Sequence, residues 1–540
     1  MSFYSHFATF WQGSYKKKSI LKITLCVVVL TIVSACVSHP EKSIIDPGNT
    51  GKWDIYEVDL TSTNEYLNPY LDVWLNATFT GPNGATVIVD GFWDGGKNWK
   101  IRMAPNDVGY WNYITYSNDA QLNGKKGSFE SIPSNKKGFV IRDPDHKFAF
   151  KRSDGEHVFL MGDTCWNCLS NRNGAFSFSI YKTLIDKRSN QKFNFIRSYT
   201  VPFYQEPTNS AHYNEGGRAF EPWDPDRLNP EYFIEADKRI AYANSKGITV
   251  HLVIGGDGTQ MTDFFGWNNG KMERYIRYLA ARYSAYDIAW EGRAEFEEQG
   301  STTPGAVNLA NQIGIWLEKY DPYGHIQSMH TTNSNNELGD EYWLDWIMHQ
   351  SQDWSLITKD RMYNKPILNE EFYYEDSGAG VTHTHHVDAD TVRKGAWKVM
   401  TSGASGLAYG NTGTYNSRSQ PFKRIEYSQS EGANYMTHLY NFWSNTKYWE
   451  LIPNNNIIQE GIAFVVTSPG NEYIFYLPNG GYIVVDLSDV NGTLNMEWYN
   501  PRQGSYQGNS IVQGGISRNF TAPDSNDWVL YLNSIPPSDI

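Results

Sequence analysis

Between Pro230 and Ile254 the chain reads PEYFIEADKRIAYANSKGITVHLVI. Pro230 to Lys246 has the pattern of a helix, Gly247 stops it, and Ile248–Ile254 is a short, mainly apolar strand. A helix running straight into a buried strand is half of a βα unit, and repeats of that unit wrap helices around a parallel sheet.

The same alternation recurs on both sides of this stretch. Upstream, Val158–Asp163 is a buried strand, Phe178 to Ser189 a helix and Phe193–Arg197 the next strand. Downstream, Met272 to Arg282 is helical before the strand Asp287–Glu291, and Ala306 to Tyr320 before His325–His330. Leu344–His349 reads as a sixth strand and Pro366–Asn369 as a seventh; a helix from Thr391 to Met400 precedes the eighth, Ser405–Gly410. Eight such units over about 300 residues predict a (β/α)8 TIM barrel. A doubly wound sheet would need a Gly-rich phosphate turn after its first strand, and Gly162-Asp163-Thr164-Cys165-Trp166 is not one.

The flanks read differently. Trp53–Leu60, Asp72–Phe79 and Thr86–Val89 alternate with period two, and Gly81-Pro82-Asn83-Gly84 is a turn between two of them. They predict an N-terminal β-sandwich of immunoglobulin-like size over 51–142. Strand-and-turn composition returns from about Gly461, so the barrel is placed at 143–455 and a second small β-sandwich at 456–540. The fold class is multidomain, a central barrel between two all-β domains.

The first residues are an address. Lys16, Lys17 and Lys18 precede an apolar run from Ile23 to Val33, too short to span a bilayer comfortably, and then Val33-Ser34-Ala35-Cys36. This ending resembles the bacterial lipobox, which implies a signal peptide of residues 1–36 cut before Cys36, lipid on that cysteine, and a tether over 37–50. An ordinary signal peptide is the alternative. Either way the body is expected outside the cytoplasm. With the lipid it would sit on a bacterial outer membrane or cell surface, or on a periplasmic face. Cys165 and Cys168 then remain as the cysteines of the body, a packed thiol pair or a local disulfide.

A net charge of −13 with a pI near 5.5 argues against nucleic acid as a partner, because that needs a concentrated basic face. Aromatic residues make up 15% of the chain, with 19 Trp and 36 Tyr. Such rings stack on the apolar faces of sugars, although β-rich secreted domains also favour them.

Barrel active sites lie at the C-terminal ends of strands. Two acidic ends stand out: Trp290-Glu291-Gly292-Arg293-Ala294-Glu295 after strand four and Asn369-Glu370-Glu371 after strand seven. Glycoside hydrolysis needs a proton donor and a second carboxylate, one protonated and one ionised, on opposed sides of the substrate. The two ends resemble those of glycoside hydrolase clan A, whose members retain anomeric configuration. More narrowly, FLMGDTCW (Phe159–Trp166), KPILNEEFYYE (Lys365–Glu375) and GASGLAYG (Gly403–Gly410) resemble the apiosidase-like barrel family. Tyr56-Glu57, Asn68-Pro69, GFWDGG (Gly91–Gly96) and Trp99–Arg102 are similar to the sandwich domain often fused before such barrels.

The resemblance implies that Glu295 is the acid/base and Glu371 the nucleophile, with Glu291, Glu297 and Glu370 as competing carboxylates. Strand alternation and the family pattern together favour Glu371 over Glu370. Clan A usually has Asn before the acid/base; here Ala294 stands there, which puts the contact to the sugar 2-hydroxyl in doubt. Arg197 resembles the clan arginine that bonds the nucleophile. Asp163, Trp166, His330, His349, His383 and Tyr409 are expected to bind substrate, although the histidines could equally be satisfied in a core and Trp166 could plug the barrel top. His383, His385, His386, Asp388 and Asp390 have a spacing that could hold a metal, but a loop bonding sugar hydroxyls is preferred. No metal, cofactor or obligate protein partner is expected. The substrate is expected to be a plant or algal polysaccharide or its oligosaccharides. The rival readings are an inactive glycan-binding lipoprotein and a metal-dependent hydrolase or lyase.

Overall fold

The structure, a computed structural model, describes residues 48–171, 176–202, 213–221, 224–255, 268–297, 304–377, 386–415 and 430–534. Cys36, His383 and His385, singled out from the sequence, lie outside the described residues. The barrel strands are β1 (Leu160–Thr164), β2 (Phe195–Tyr199), β3 (Thr249–Gly255), β4 (Ile288–Arg293), β5 (Gln327–Ser328), β6 (Ile347–His349), β7 (Ile367–Asn369) and β8 (Gly406–Asn411). All pair in parallel in the order β5-β4-β3-β2-β1-β8-β7-β6. The helices around them are α1 (Phe178–Asn190), α2 (Pro230–Ser245), α3 (Asn269–Tyr283), α4 (Pro304–Tyr320), α5 (Trp354–Asp360), α6 (Ala389–Thr401) and α7 (Glu431–Trp443).

Local chemistry sets several of these boundaries. The Asn229 side chain accepts the Glu231 N–H ahead of Pro230, and Gly247 leaves α2 with a φ of +74° that a residue with a Cβ would resist. Ser177, Asn268 and Asp388 cap α1, α3 and α6 through the N–H groups of Ile180, Lys271 and Thr391. Inside the barrel Gly162 is required, because a Cβ there would run into the Phe195 ring.

The ring closes without a ladder between β5 and β6. Side chains and one backbone bond span that seam instead: the Asp345 N–H donates to the Gln327 carbonyl at 2.8 Å, and the Ser328 hydroxyl to the Trp346 carbonyl at 2.8 Å. Asn335, fully buried, accepts the Met348 N–H at 2.9 Å and donates to the Met329 carbonyl at 2.8 Å and to Ser328 Oγ at 2.9 Å. Its carboxamide stands where a peptide group of a ladder would.

Leu160, Phe195, Ala289, Ile326, Trp346, Met348, Leu368 and Ala408 fill the lower barrel, and Val140 and Phe150 join them. Val140 and Phe150 belong to a three-stranded antiparallel sheet (Val140–Arg142, Phe150–Arg152, His157–Val158) that plugs the N-terminal end. The N-terminal part is a five-stranded and a three-stranded sheet facing each other across Leu75, Phe79, Trp99, Ile101, Trp111 and Phe129. It docks on α2 and α3, where Asp237 takes both Arg102 and Arg282 at 2.7 Å. The C-terminal part is a six-stranded and a three-stranded sheet around Phe475, Leu477, Ile483, Leu530 and Leu532. Arg393 of α6 grips its Asp527 with two hydrogen bonds of 3.0 and 2.9 Å.

Candidate active site

Strand alternation determines what points into the upper barrel. Phe195 faces inward on β2, so Arg197 does too; by the same rule His251 on β3, Glu291 on β4 and Glu370 after β7 converge on the axis. Arg197 is fully buried and organises the group. Its Nε and Nη2 donate to the two carboxylate oxygens of Glu291 at 2.9 and 2.7 Å. Its Nε also lies 3.0 Å from Glu370 Oε2, and its Nη1 lies 3.3 Å from Glu371 Oε1. One cation therefore meets three carboxylates, an arrangement that tolerates burial only if their charges are reduced.

The proton distribution follows from that geometry. Burial opposes ionisation of Glu291, but the charge of Arg197 and contacts from His251 outweigh it and hold the carboxyl well below the usual range. Burial and the neighbouring Glu291 charge push Glu370 well above its ordinary value, so Glu370 carries the proton. Burial also works against an ionised Glu371, yet His330 and Arg197 prevail and its pKa falls. His330 shows the reciprocal effect: burial would lower it, but the Glu371 charge and hydrogen bond raise it to about 9. At neutral pH the cluster holds Arg197 and His330 as cations and Glu291 and Glu371 as anions.

A hydrogen-bonded chain continues from Glu371 to Glu295. His330 Nε2 lies 2.9 Å from Glu371 Oε1 and 3.1 Å from Gln350 Oε1, and the Gln350 amide donates to Glu295 Oε1 at 2.9 Å. Glu295 is partly exposed and has a φ of +41°, a left-handed conformation that costs a non-glycine residue on the order of 1–3 kcal/mol. Trp166 backs the group, with Arg197 4.7 Å from its ring centroid and the His330 ring stacked at 5.3 Å. Trp166 itself is held in a four-residue loop closed by a disulfide between Cys165 and Cys168.

Glu371, Glu295, Arg197, His330 and Trp166 are thus brought together. Three other residues expected to contact substrate are not gathered there, and the face of its strand accounts for each. Asp163 points outward from β1 and pairs with Arg188 of α1 at 2.6 Å, both fully buried. Tyr409 points outward from β8 and bonds Glu375 at 2.5 Å and Ser430 at 2.6 Å. His349 turns outward to Asp360 at 2.9 Å. The alternation argument for Glu371 also fails: Leu368 faces inward, so alternation selects Glu370, and Glu371 reaches the cluster because the chain has left β7 at Asn369. Of the competing carboxylates, Glu291 and Glu370 lie buried against Arg197, while Glu297 is taken up by the Thr331 hydroxyl and the Thr332 N–H. In the histidine-rich loop, Asp388 caps α6 and Asp390 pairs with Arg393. Gln350 and His251 escaped the sequence reading, although both sit where the rule of strand ends and the inward period would have found them.

A parallel (β/α)8 barrel with carboxylates at the ends of its fourth and seventh strands, over a buried arginine, defines the glycoside-hydrolase class of fold. Within that class the chain belongs to the family described as "Apiosidase-like, catalytic domain", whose model matches residues 144–450. Residues 49–118 match a domain of unknown function, and residues 450–533 match a model described as the candidate collagen-binding domain of a collagenase. Among solved structures, a candidate glycoside hydrolase from Bacteroides vulgatus is 19% identical, with a TM-score of 0.75 over 90% of this chain and 100% of its own. A family 5 glycoside hydrolase from the same species is 18% identical, with a TM-score of 0.63 over 74% of this chain and 94% of its own. Another protein, described as a glycoside hydrolase, is 18% identical with a TM-score of 0.62, over 74% and 97%. At these identities the likeness is one of fold. No curated protein matches the sequence.

Proposed function

We propose that this protein is a retaining glycoside hydrolase in which Glu371 is the nucleophile and Glu295 the acid/base. The observation that carries the reading is the chain Arg197–Glu371–His330–Gln350–Glu295. Two cations keep Glu371 ionised and ready to attack, and Gln350 orients a second, more exposed carboxylate beside it. In the first step Glu371 forms a bond to the anomeric carbon while Glu295 gives its proton to the departing glycosidic oxygen. In the second, Glu295 removes a proton from water as that water attacks the same carbon and frees Glu371. Arg197, His330 and Gln350 hold these two side chains, and the Glu291 carboxylate balances the charge of Arg197 beneath.

The substrate in this reading is a plant or algal polysaccharide or its oligosaccharides. The mature chain would be held at the bacterial cell envelope by lipid on Cys36. A panel of such glycans, incubated with the wild type, Glu371→Ala and Glu295→Ala, tests the chemistry. Release of one defined sugar by the wild type, and a loss of several orders of magnitude in each variant, is the expected result. Near-normal turnover in either variant removes that assignment, and a freshly released product of inverted configuration by NMR removes the double displacement. Detergent-phase partition of the wild type but not of Cys36→Ser checks the anchor.

Ala294, in place of the Asn usual before the acid/base, favours a second reading: a glycan-binding lipoprotein without turnover. Calorimetric binding of one glycan by the wild type, with no product after days, would select it.

A further inference from the structure

At the opposite end of the barrel from the carboxylates, three potential ligand atoms meet in the sheet that plugs it. Asp143 follows the strand Val140–Arg142, His146 lies in the next turn, and His157 is in the third strand of that sheet. The Asp143 carboxylate is 1% exposed, and one of its oxygens, Oδ2, lies 2.9 Å from His146 Nδ1 and 3.2 Å from His157 Nδ1. All three atoms lie within 4.8 Å of one another. The rings are fixed from outside the group. His157 stacks on Trp449 with centroids 4.0 Å apart and planes 5° apart, and the His146 ring meets His157 edge-on at 5.4 Å.

Ordinary hydrogen bonding accounts for half of this. His146 Nδ1 bonds Asp143, but His157 Nδ1 is buried and has no hydrogen-bond partner although the same oxygen is 3.2 Å away. A buried ring nitrogen left without a partner costs on the order of 1–3 kcal/mol, and an imidazole that is not donating offers a lone pair instead. Ligands about 2.0–2.1 Å from a tetrahedral cation are separated by edges of about 3.3 Å, close to the two distances from Asp143 Oδ2, 2.9 and 3.2 Å. The cluster of His251, Glu291 and Glu370 also gathers potential ligands, but there the Arg197 guanidinium already supplies the positive charge. At Asp143 the nearest cation, Lys151, approaches the other carboxylate oxygen, Oδ1, at 3.5 Å, and the Asp145 N–H donates to that oxygen too, so Oδ2 is turned to the two histidines.

We propose that Asp143, His146 and His157 form a binding site for a borderline first-row divalent cation, Zn2+ in the first instance, with water completing the coordination. Two imidazoles and a carboxylate suit that ion better than Mg2+ or Ca2+, which take oxygen ligands. The ion would clamp the two ends of the plugging sheet together, away from the carboxylates at the other end, so the site stands whether or not the protein hydrolyses glycans.

Zinc binding to the mature chain, measured by competition with a chromophoric chelator and by calorimetry, tests this. His157→Phe keeps a ring against Trp449 while removing the nitrogen, and His146→Ala removes the second imidazole. Because the histidine-rich loop 383–386 could take up zinc of its own, the readout is the difference in stoichiometry. The wild type is expected to bind one more equivalent than either variant, or to bind that equivalent more tightly by at least the ~10–100-fold that loss of a mere outer-shell partner costs. The wild type's thermal midpoint should also rise with zinc, and the variants' should not. Equal stoichiometry and affinity in all three proteins, with the variants folded by circular dichroism, would overturn the assignment; so would a wild type that binds no zinc.

Discussion

Replacing Glu371 by Gln should return His330 to a neutral imidazole at pH 7. In the wild type the Glu371 carboxylate, 2.9 Å from Nε2, raises His330 from the ordinary value of 6.5 to about 9, against burial and against Arg197. At about 1.4 kcal/mol per pH unit this rise corresponds to about 3 kcal/mol in favour of the charged ring. Glu371→Gln removes the attraction and leaves both opposing effects in place, so the pKa should fall below 6.5, a swing larger than the original rise. Imidazole resonances followed by NMR from pH 5 to 10 report it directly. One histidine should titrate near 9 in the wild type and that transition should vanish in Glu371→Gln. The same linkage has a sign in stability. The folded pKa is raised, so this contribution is complete below about pH 6.5 and fades as pH climbs through about 9. A His330 that titrates below 7 in the wild type, or at an unchanged pH in the variant, would refute the charge assignment.

Arg197→Met leaves Glu291, Glu370 and Glu371 buried without their cation and should lower stability by about 3–5 kcal/mol, read as a fall in the urea midpoint. Asn335→Ala strips the β5–β6 seam of its donor and acceptor together; a loss of about 2–4 kcal/mol in chemical unfolding is expected, and less than about 0.5 would mean that the seam closes by other means. Tyr409→Phe, which breaks bonds to Glu375 and Ser430 on the outer face of β8, should reduce stability by about 1 kcal/mol and leave KM for any hydrolysed glycan unchanged; a raised KM would return Tyr409 to the substrate.

The barrel was legible because its signals are periodic. Helices such as Pro230–Ser245 and Asn269–Tyr283 carry a 3.6-residue pattern, and the strand after each is short and apolar, so a terminal error of a residue or two changed nothing. Neither the seven-residue helix Trp354–Asp360 nor α7 is among the helices expected from the sequence. The seam between β5 and β6 left no trace in periodicity, because Asn335 closes it from a loop. The site was half legible. Position at a strand end, together with the family resemblance, singled out Glu295, Glu371, Arg197 and His330, which the structure gathers, but position says nothing about which face a residue takes. Asp163 and Tyr409 each sit one residue from an inward neighbour, Gly162 and Ala408, and period two would have turned both toward the helices. Glu371 is the opposite case, an orientation produced by the chain leaving its strand, which no period encodes.

The carboxamide of Asn335 makes part of the barrel's closure depend on a side-chain amide. A peptide group in a ladder is protected by its place in the main chain, whereas a side-chain amide can be hydrolysed while the chain stays intact. Deamidation at Asn335 would exchange Nδ2 for oxygen, almost without change of shape. The donor to the Met329 carbonyl and to Ser328 would become an anion facing a carbonyl in a fully buried position. Chemical ageing at this one residue would therefore weaken the closure of the ring between β5 and β6 while altering the protein's mass by about one dalton, from the replacement of NH by O. Storage lots could differ in barrel integrity while remaining indistinguishable by size, and mass spectrometry of the proteolytic peptide that contains Asn335 would separate them.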